Sequence, residues 1–281
     1  LHRYKEARQL LSRAAQLAQH TSLSSAEQRA LFAAEAEVCF HQGDFRAAME
    51  SIERAKQLAA GDAFERHRME LSSAQALAGA GELDAAQQAL DAASAILPAE
   101  DDPVLLCERA KVRALIRAFQ RDWGGSALAA EQAAELGREA GLSHEVAVNL
   151  HNQGDSLMRL GELPRAYAAL QKSLEVAEVI GSDRMVNLNR IMLAYLDAAN
   201  GSNVARRVLG ERLAAAEAQR WTWDAITGRY LLGKLLSEQG DVLGARRELT
   251  LARRLAEDSK NRLLSEDCRM QLEALEARSA G

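Results

Sequence analysis

Apolar residues along the chain recur at three- and four-residue spacing with charged residues between them. That period predicts amphipathic helices, each burying one stripe. Short breaks interrupt it on a ladder: Gly43-Asp44-Phe45, Gly81-Glu82-Leu83, Arg121-Asp122-Trp123, Gly161-Glu162-Leu163, Gly201-Ser202-Asn203 and Gly240-Asp241-Val242. Their first residues lie 38, 40, 40, 40 and 39 positions apart. A second set of breaks falls between them, at Gly61-Asp62, from Pro98 to Pro103, at Gly141-Leu142-Ser143 and at Gly181-Ser182-Asp183. The pattern predicts fourteen helices in two alternating classes. Post-turn helices fall at 3–20, 44–60, 82–97, 124–140, 162–180, 202–219 and 241–258; pre-turn helices fall at 25–42, 62–80, 102–120, 143–160, 182–200, 221–239 and 260–278.

The repeat also fixes which positions are small. Seven residues before each turn stand Ala36, Ala74, Ala114, Gly154, Ala194 and Gly233. Five residues after it stand Ala48, Ala86, Ser126, Ala166, Arg206 and Ala245, and nine after it Ile52, Leu90, Ala130, Leu170, Gly210 and Leu249. Shortening the 201 turn by one residue replaces the two misfits with Ala205 and Leu209. Facing small residues let two antiparallel helices approach closely, and the larger residues fill the seam beside them. A glycine at the turn suits a left-handed helix end, and the acid or serine after it suits the start of the next helix.

Composition agrees with an all-α chain. Of 281 residues, 48% are hydrophobic and only 4% aromatic, with three prolines, and good helix formers dominate. Cys39, Cys107 and Cys268 are too scattered for a disulfide frame or a metal knuckle, which suggests reduced thiols in a cytoplasmic setting. No apolar stretch approaches membrane-span length. The chain starts with Leu1 at a turn-like His2-Arg3-Tyr4, followed by Ala7, Leu11 and Ala14 in post-turn slots. It ends at Gly281, with Ala274 seven residues earlier. We therefore expect one solenoid domain over 1–281, cut from a longer multidomain protein.

Asn152-Gln153-Gly154-Asp155 through Gly161-Glu162-Leu163-Pro164-Arg165-Ala166 resembles the tetratricopeptide repeat, and so does Leu232-Gly233 through Gly240-Asp241 to Ala245. The resemblance covers essentially the whole chain, although the period is nearer 40 than 34 and the aromatic after the turn survives only at Tyr4, Phe45 and Trp123. It implies a right-handed superhelix of about seven helix pairs. Long repeats of this kind look like those of the maltose-regulon activator, its LuxR-type relatives and other signal-transduction ATPase or kinase regulators. The function implied is a non-catalytic interaction and sensor domain of a larger bacterial signalling or transcription regulator. The alternative is a stand-alone adaptor that scaffolds a complex without switching.

In such superhelices the pre-turn helices line the concave face. By that resemblance the lining is Glu37, His41, Leu71, Gln75, Lys111, Leu115, Phe119, His151, Asp155, Arg159, Ile191, Tyr195, Tyr230, Lys234 and Glu238, with Arg68 and Glu108 on the rim. Lys111, His151, Asp155, Arg159, Tyr195, Tyr230 and Lys234 are the candidate ligand or peptide contacts. Carboxylates beside Lys111 and Arg159 argue against the family's clamp for a terminal carboxylate. Arg206, Arg207, Arg246 and Arg247 recur one period apart as a basic stripe on the convex side. It is either a solvated face salted with Glu211, Glu248 and Glu257 or a docking surface for an acidic partner.

No chemistry-bearing constellation is legible. Trp123-Gly124-Gly125-Ser126 lacks the lysine and preceding strand of a phosphate loop, and His144 and His151 lack a third ligand. Trp221 reads as a staple on the preceding helix end, with Trp223 a candidate hot spot. A net charge of −5 and the lack of aromatic platforms in the basic stripe disfavour direct nucleic-acid contact. The expected partner is a protein or peptide, with a small effector admitted. No cofactor, metal or membrane contact is expected, and the chain should be a monomer or weak homo-oligomer.

Overall fold

The computed structural model describes residues 7, 9–11, 13, 14, 23–59, 61–97 and 102–280. Among them are thirteen helices and no strand: α1 Ser25–His41, α2 Phe45–Leu58, α3 Ala63–Ala80, α4 Leu83–Ile96, α5 Pro103–Phe119, α6 Trp123–Glu139, α7 Ser143–Leu160, α8 Leu163–Val179, α9 Asp183–Ala199, α10 Asn203–Ala218, α11 Thr222–Glu238, α12 Val242–Asp258 and α13 Arg262–Ala280. Residues 7, 9–11, 13 and 14 are helical as well, within the span expected for an opening helix; His2, Arg3 and Tyr4 lie outside the described residues. Helix bounds match the periodicity to within two residues.

The turns form as their residues dictate. Gly43, Gly81, Gly161, Gly201 and Gly240 all have φ between 69° and 92°. Arg121 takes the same conformation at φ 59°, completing the ladder without a glycine. In each turn the following residue's N–H reaches back to a carbonyl five positions earlier, as in Asp44 to Cys39, Asp122 to Arg117 and Asp241 to Leu236. This is the Schellman closure of a helix end. Asp44, Asp62, Asp102, Asp122, Ser202 and Asp241 then cap the next helix through their side chains.

The small slots are the core. Ala36, Ala74, Ala114, Gly154, Ala194 and Gly233 are all buried against the helix that follows them. After the 201 turn the buried slots fall to Ala205 and Leu209, whereas Arg206 is exposed. The turn itself, Gly201 followed by the capping Ser202, is as long as the others, so the shift lies in how the helix presents its face. A recurrent buried bond locks the same register. His67 Nδ1 meets the Ala93 carbonyl at 2.8 Å, Cys107 Sγ the Ala133 carbonyl at 3.3 Å, and Asn187 Nδ2 the Arg212 carbonyl at 3.4 Å. At Ala147, which has no donor, the bond reverses and Ser173 Oγ donates to the Ala147 carbonyl at 2.7 Å. One departure concerns the last helix, where Ala274 is exposed and Leu275 takes the buried position.

The chain packs as two compact units, Leu1–Glu145 and Val146–Gly281, with the boundary inside α7. In the first unit α1 packs on α2, α3 on α4 and α5 on α6. The core runs through Ile52, Leu90 and Ile116. In the second, α9 packs on α10, α11 on α12 and α12 on α13, around Leu170, Leu209, Ile226 and Leu249. In both units the pre-turn helices carry the polar contacts described next.

Candidate functional site

An acid in the first turn of every second pre-turn helix ties it to a base on the pre-turn helix before. Arg29 meets Glu65 at 3.6 Å, Lys111 meets Glu145 at 2.9 Å and Arg184 meets Asp224 at 3.0 Å. The helix dipole favours the acid at that position, and the ion pair adds a lateral tie. Lys111 therefore belongs to the first unit and is already engaged. Of the other expected lining residues of that unit, Glu37 is exposed, His41, Gln75, Leu115 and Phe119 are half-buried, and Leu71 is buried in the core. Arg68 is exposed beside Glu65, and Glu108 is half-buried.

The second unit gathers most of the expected residues. Arg159 of α7 donates through Nε to Asp155 at 2.9 Å and through Nη1 to Asp267 of α13 at 2.5 Å. Its side chain is only 13% exposed and that of Asp267 only 5%. Burial acts to lower the Arg159 pKa, but the two carboxylates outweigh it and the net direction is upward, so the guanidinium stays charged. Tyr230 of α11 lies beside the same group: burial, then Asp267, raises its hydroxyl above the usual tyrosine range. Tyr195 of α9 donates to Glu238 at 3.5 Å, and Lys234 Nζ sits 5.5 Å from the centre of its ring. Burial raises the Tyr195 hydroxyl as well, with Glu238 adding to it. Four pre-turn helices thus converge on one polar and aromatic cluster.

Two residues that the family resemblance placed on the lining of this unit are buried instead. Ile191 is fully buried and belongs to the core, and Tyr195, at 4% exposure, is a wall of the cluster and not an open contact. His151 stands at one end of a buried chain. Its Nδ1 meets Asn189 Oδ1 at 2.8 Å, Asn189 Nδ2 donates to Ser173 Oγ at 2.8 Å, and Ser173 donates to the Ala147 carbonyl. The carbonyl at the end can only accept, which fixes every donor back along the chain and places the proton on His151 Nδ1.

Asp267 and Asp224 escaped sequence reasoning. Asp267 lies 108 positions from Arg159. The basic stripe on the post-turn helices is exposed but largely engaged. Arg206 donates to Gln239 at 2.9 Å, Arg207 meets Glu211 at 3.6 Å, and Arg247 meets Glu248 at 3.0 Å; Arg246 is exposed. Trp221 is the half-buried N-cap of α11, with no side-chain capping bond. His144 is exposed, and among the described residues no three His, Cys, Asp or Glu side chains gather as a metal set.

No protein family description matches the sequence, and no curated protein does. Solved structures do match. RapI, in its apo form, superposes with a TM-score of 0.70 at 13% identity, over 92% of this chain and 95% of that one. A signal-transduction ATPase with numerous domains from Pyrococcus horikoshii, described as having a tetratricopeptide repeat sensor, gives 0.62 at 15% identity, over 90% of this chain and 41% of that one. The fold is a tetratricopeptide-like helical repeat. NprR in complex with its cognate peptide NprX gives a TM-score of 0.58 at 14% identity, over 86% and 76% of the two chains. At these identities the likeness is one of fold.

Proposed function

We propose that the protein binds a peptide or protein segment on the pre-turn face of its second unit, as a non-catalytic sensor module of a larger bacterial signalling or transcription regulator in the cytoplasm. The observation that carries this reading is the cluster of Arg159, Asp155, Asp267, Tyr195 and Tyr230. Burying an ion pair is a poor way to gain stability, because desolvation offsets most of the attraction. Arg159, Tyr195 and Tyr230 are ionisable groups, buried or half-buried, raised above their ordinary values and gathered on one face, an arrangement that marks a candidate site. NprR, a protein of similar fold, is solved with its cognate peptide, which supports a segment as the ligand. Tyr230 and Lys234, both half-buried, supply amphipathic contacts at the cluster's edge. No described helix is long and apolar enough to cross a membrane.

The test is a peptide array probed with the protein, followed by titration of the strongest binder against Tyr230→Ala and Lys234→Ala. The reading expects each variant to weaken binding about tenfold or more, as hot-spot residues do. Hydrogen exchange on the bound protein should protect α7, α9, α11 and α13. Binders indifferent to both substitutions, or protection confined to the first unit, would overturn it. A stand-alone adaptor is the competing reading; bound protein in which protection is confined to the contact residues favours it over a sensor.

A further inference from the structure

The second unit carries another surface that the cluster above does not use, along the turns that join one helix pair to the next. Three of these turns follow one another at 181–183, 220–222 and 260–262. The first has Gly181 in the left-handed conformation, at φ 67°. The next two hold that conformation with Arg220 at φ 56° and Lys260 at φ 54°. A side chain there is strained where glycine is not. Both residues are exposed, and neither side chain has a recorded partner among the described residues.

Beside them stand Arg184 and Trp223, each the second residue of its pre-turn helix. Arg184 Nε is held at 3.0 Å by Asp224, a carboxylate with no exposure whose other oxygen, Oδ2, lacks a hydrogen-bond partner. A buried acid thus fixes the orientation of a guanidinium that is itself 49% exposed and has no recorded protein partner at Nη1 or Nη2. Trp223, next in the chain to Asp224, is 42% exposed. An oriented arginine beside an exposed tryptophan is the composition of an interaction hot spot. By contrast, the arginines of the post-turn stripe are mostly satisfied within the chain.

We propose that this edge docks an acidic segment of a partner protein, with carboxylates on Arg184, Arg220 and Lys260 and an apolar side chain against Trp223. Charge complementarity selects that partner. The cations are separated by whole repeats and interspersed with Asp183 and Asp258, which suits discrete carboxylates better than a continuous phosphate backbone. Residues 146–281 hold 19 Lys and Arg against 18 Asp and Glu, too balanced a field to gather a polyanion at long range. The strain at Arg220 and Lys260 is what the chain retains to keep two cations at positions where Gly181 shows the relaxed alternative.

That strain makes the experiment clean. The probe is a short capped peptide alternating leucine and glutamate, fluorescein-labelled, titrated with the full chain at low and high salt beside its glutamine counterpart. The glutamate peptide should bind, weaken about tenfold or more at high salt, and bind better than the glutamine peptide. Arg220→Gly/Lys260→Gly should weaken it at least about tenfold while the melting temperature stays level or rises, because glycine suits both turns. Trp223→Ala should abolish any change in tryptophan emission on binding. Absence of binding at low salt, or binding that survives the double glycine variant, overturns the proposal. So do a single-stranded oligonucleotide that binds in place of the peptide, and self-association lost in the same variant, which would give the edge to a second copy of the chain.

Discussion

Gly154 offers the sharpest test of the packing argument. It occupies the small slot of α7, and a Cβ added there would lie 2.6 Å from Leu170 Cγ, 2.8 Å from its Cδ2 and 3.3 Å from the Ala166 carbonyl oxygen. Leu170 is completely buried, so it can move aside only by displacing the residues packed around it. Gly210 provides the control: it also lies inside a helix, α10, but a Cβ there meets nothing within 4 Å. Alanine gains about 1 kcal/mol of helix propensity over glycine at either site. At position 154 the overpacking costs about 1–3 kcal/mol, so the gain is cancelled or reversed. Gly210→Ala should therefore be more stable than wild type, and Gly154→Ala less stable than Gly210→Ala by about 1–3 kcal/mol. Thermal and urea unfolding followed by circular dichroism read this as a difference of a few degrees, at about 2 °C per kcal/mol for a chain of this size. Gly154→Leu should fall further. In a Leu170→Ala background the added methyl should become favourable, a reversal that only direct contact produces. If Gly154→Ala and Gly210→Ala stabilise equally, the helix pair is not close-packed at that slot and the register argument fails.

Three further outcomes are expected. Arg159→Met leaves Asp267 buried without its cation and should cost about 3–5 kcal/mol by chemical denaturation, while the exposed Arg207→Met should change stability by under about 0.5 kcal/mol. Burial, only partly offset by Arg184, holds the Asp224 carboxyl above its ordinary pKa. The folded state therefore binds that proton more tightly than the unfolded chain, so the stability Asp224 contributes is present at acid pH and lost as pH rises through the folded pKa. Asp224→Asn should match wild type below the carboxylate range and exceed it at neutral pH, and melting curves with the same offset at both pH values would refute this. All three cysteines are buried, and burial pushes the Cys268 thiol up to about 12. A thiol reagent at mildly alkaline pH should label them only as fast as the protein unfolds, and rapid labelling of the native protein would contradict that.

The candidate site was legible only in part, for a reason visible at Arg159. Its helix, its face and its neighbour Asp155 follow from the repeat, since an i, i+4 pair is a local matter. Its second carboxylate, Asp267, comes from a helix three repeats on, and no spacing rule reaches that far. Lys111 shows the reverse: its position was legible, but its engagement by Glu145 was not. Tyr195 was expected to face a ligand and instead forms a wall, because burial depends on how adjacent pre-turn helices close over it. Arg220 fell between two expected helices, and Lys260 was placed inside the helix expected at 260–278. Their left-handed conformation is set by the helix ends on either side.

By itself the sequence determined the helices, their bounds and the small-residue seam, including Ala205 and Leu209 in place of Arg206 and Gly210. Each depends on interactions within one repeat, and six copies of that repeat average out the noise of any one. What the tertiary structure alone decided is which polar groups meet across repeats: Arg159 with Asp267, Arg184 with Asp224, and His151 with Asn189. Those contacts depend on the small rotation between successive helix pairs. That rotation is set by side-chain volumes at each seam, which no pattern within a single repeat encodes.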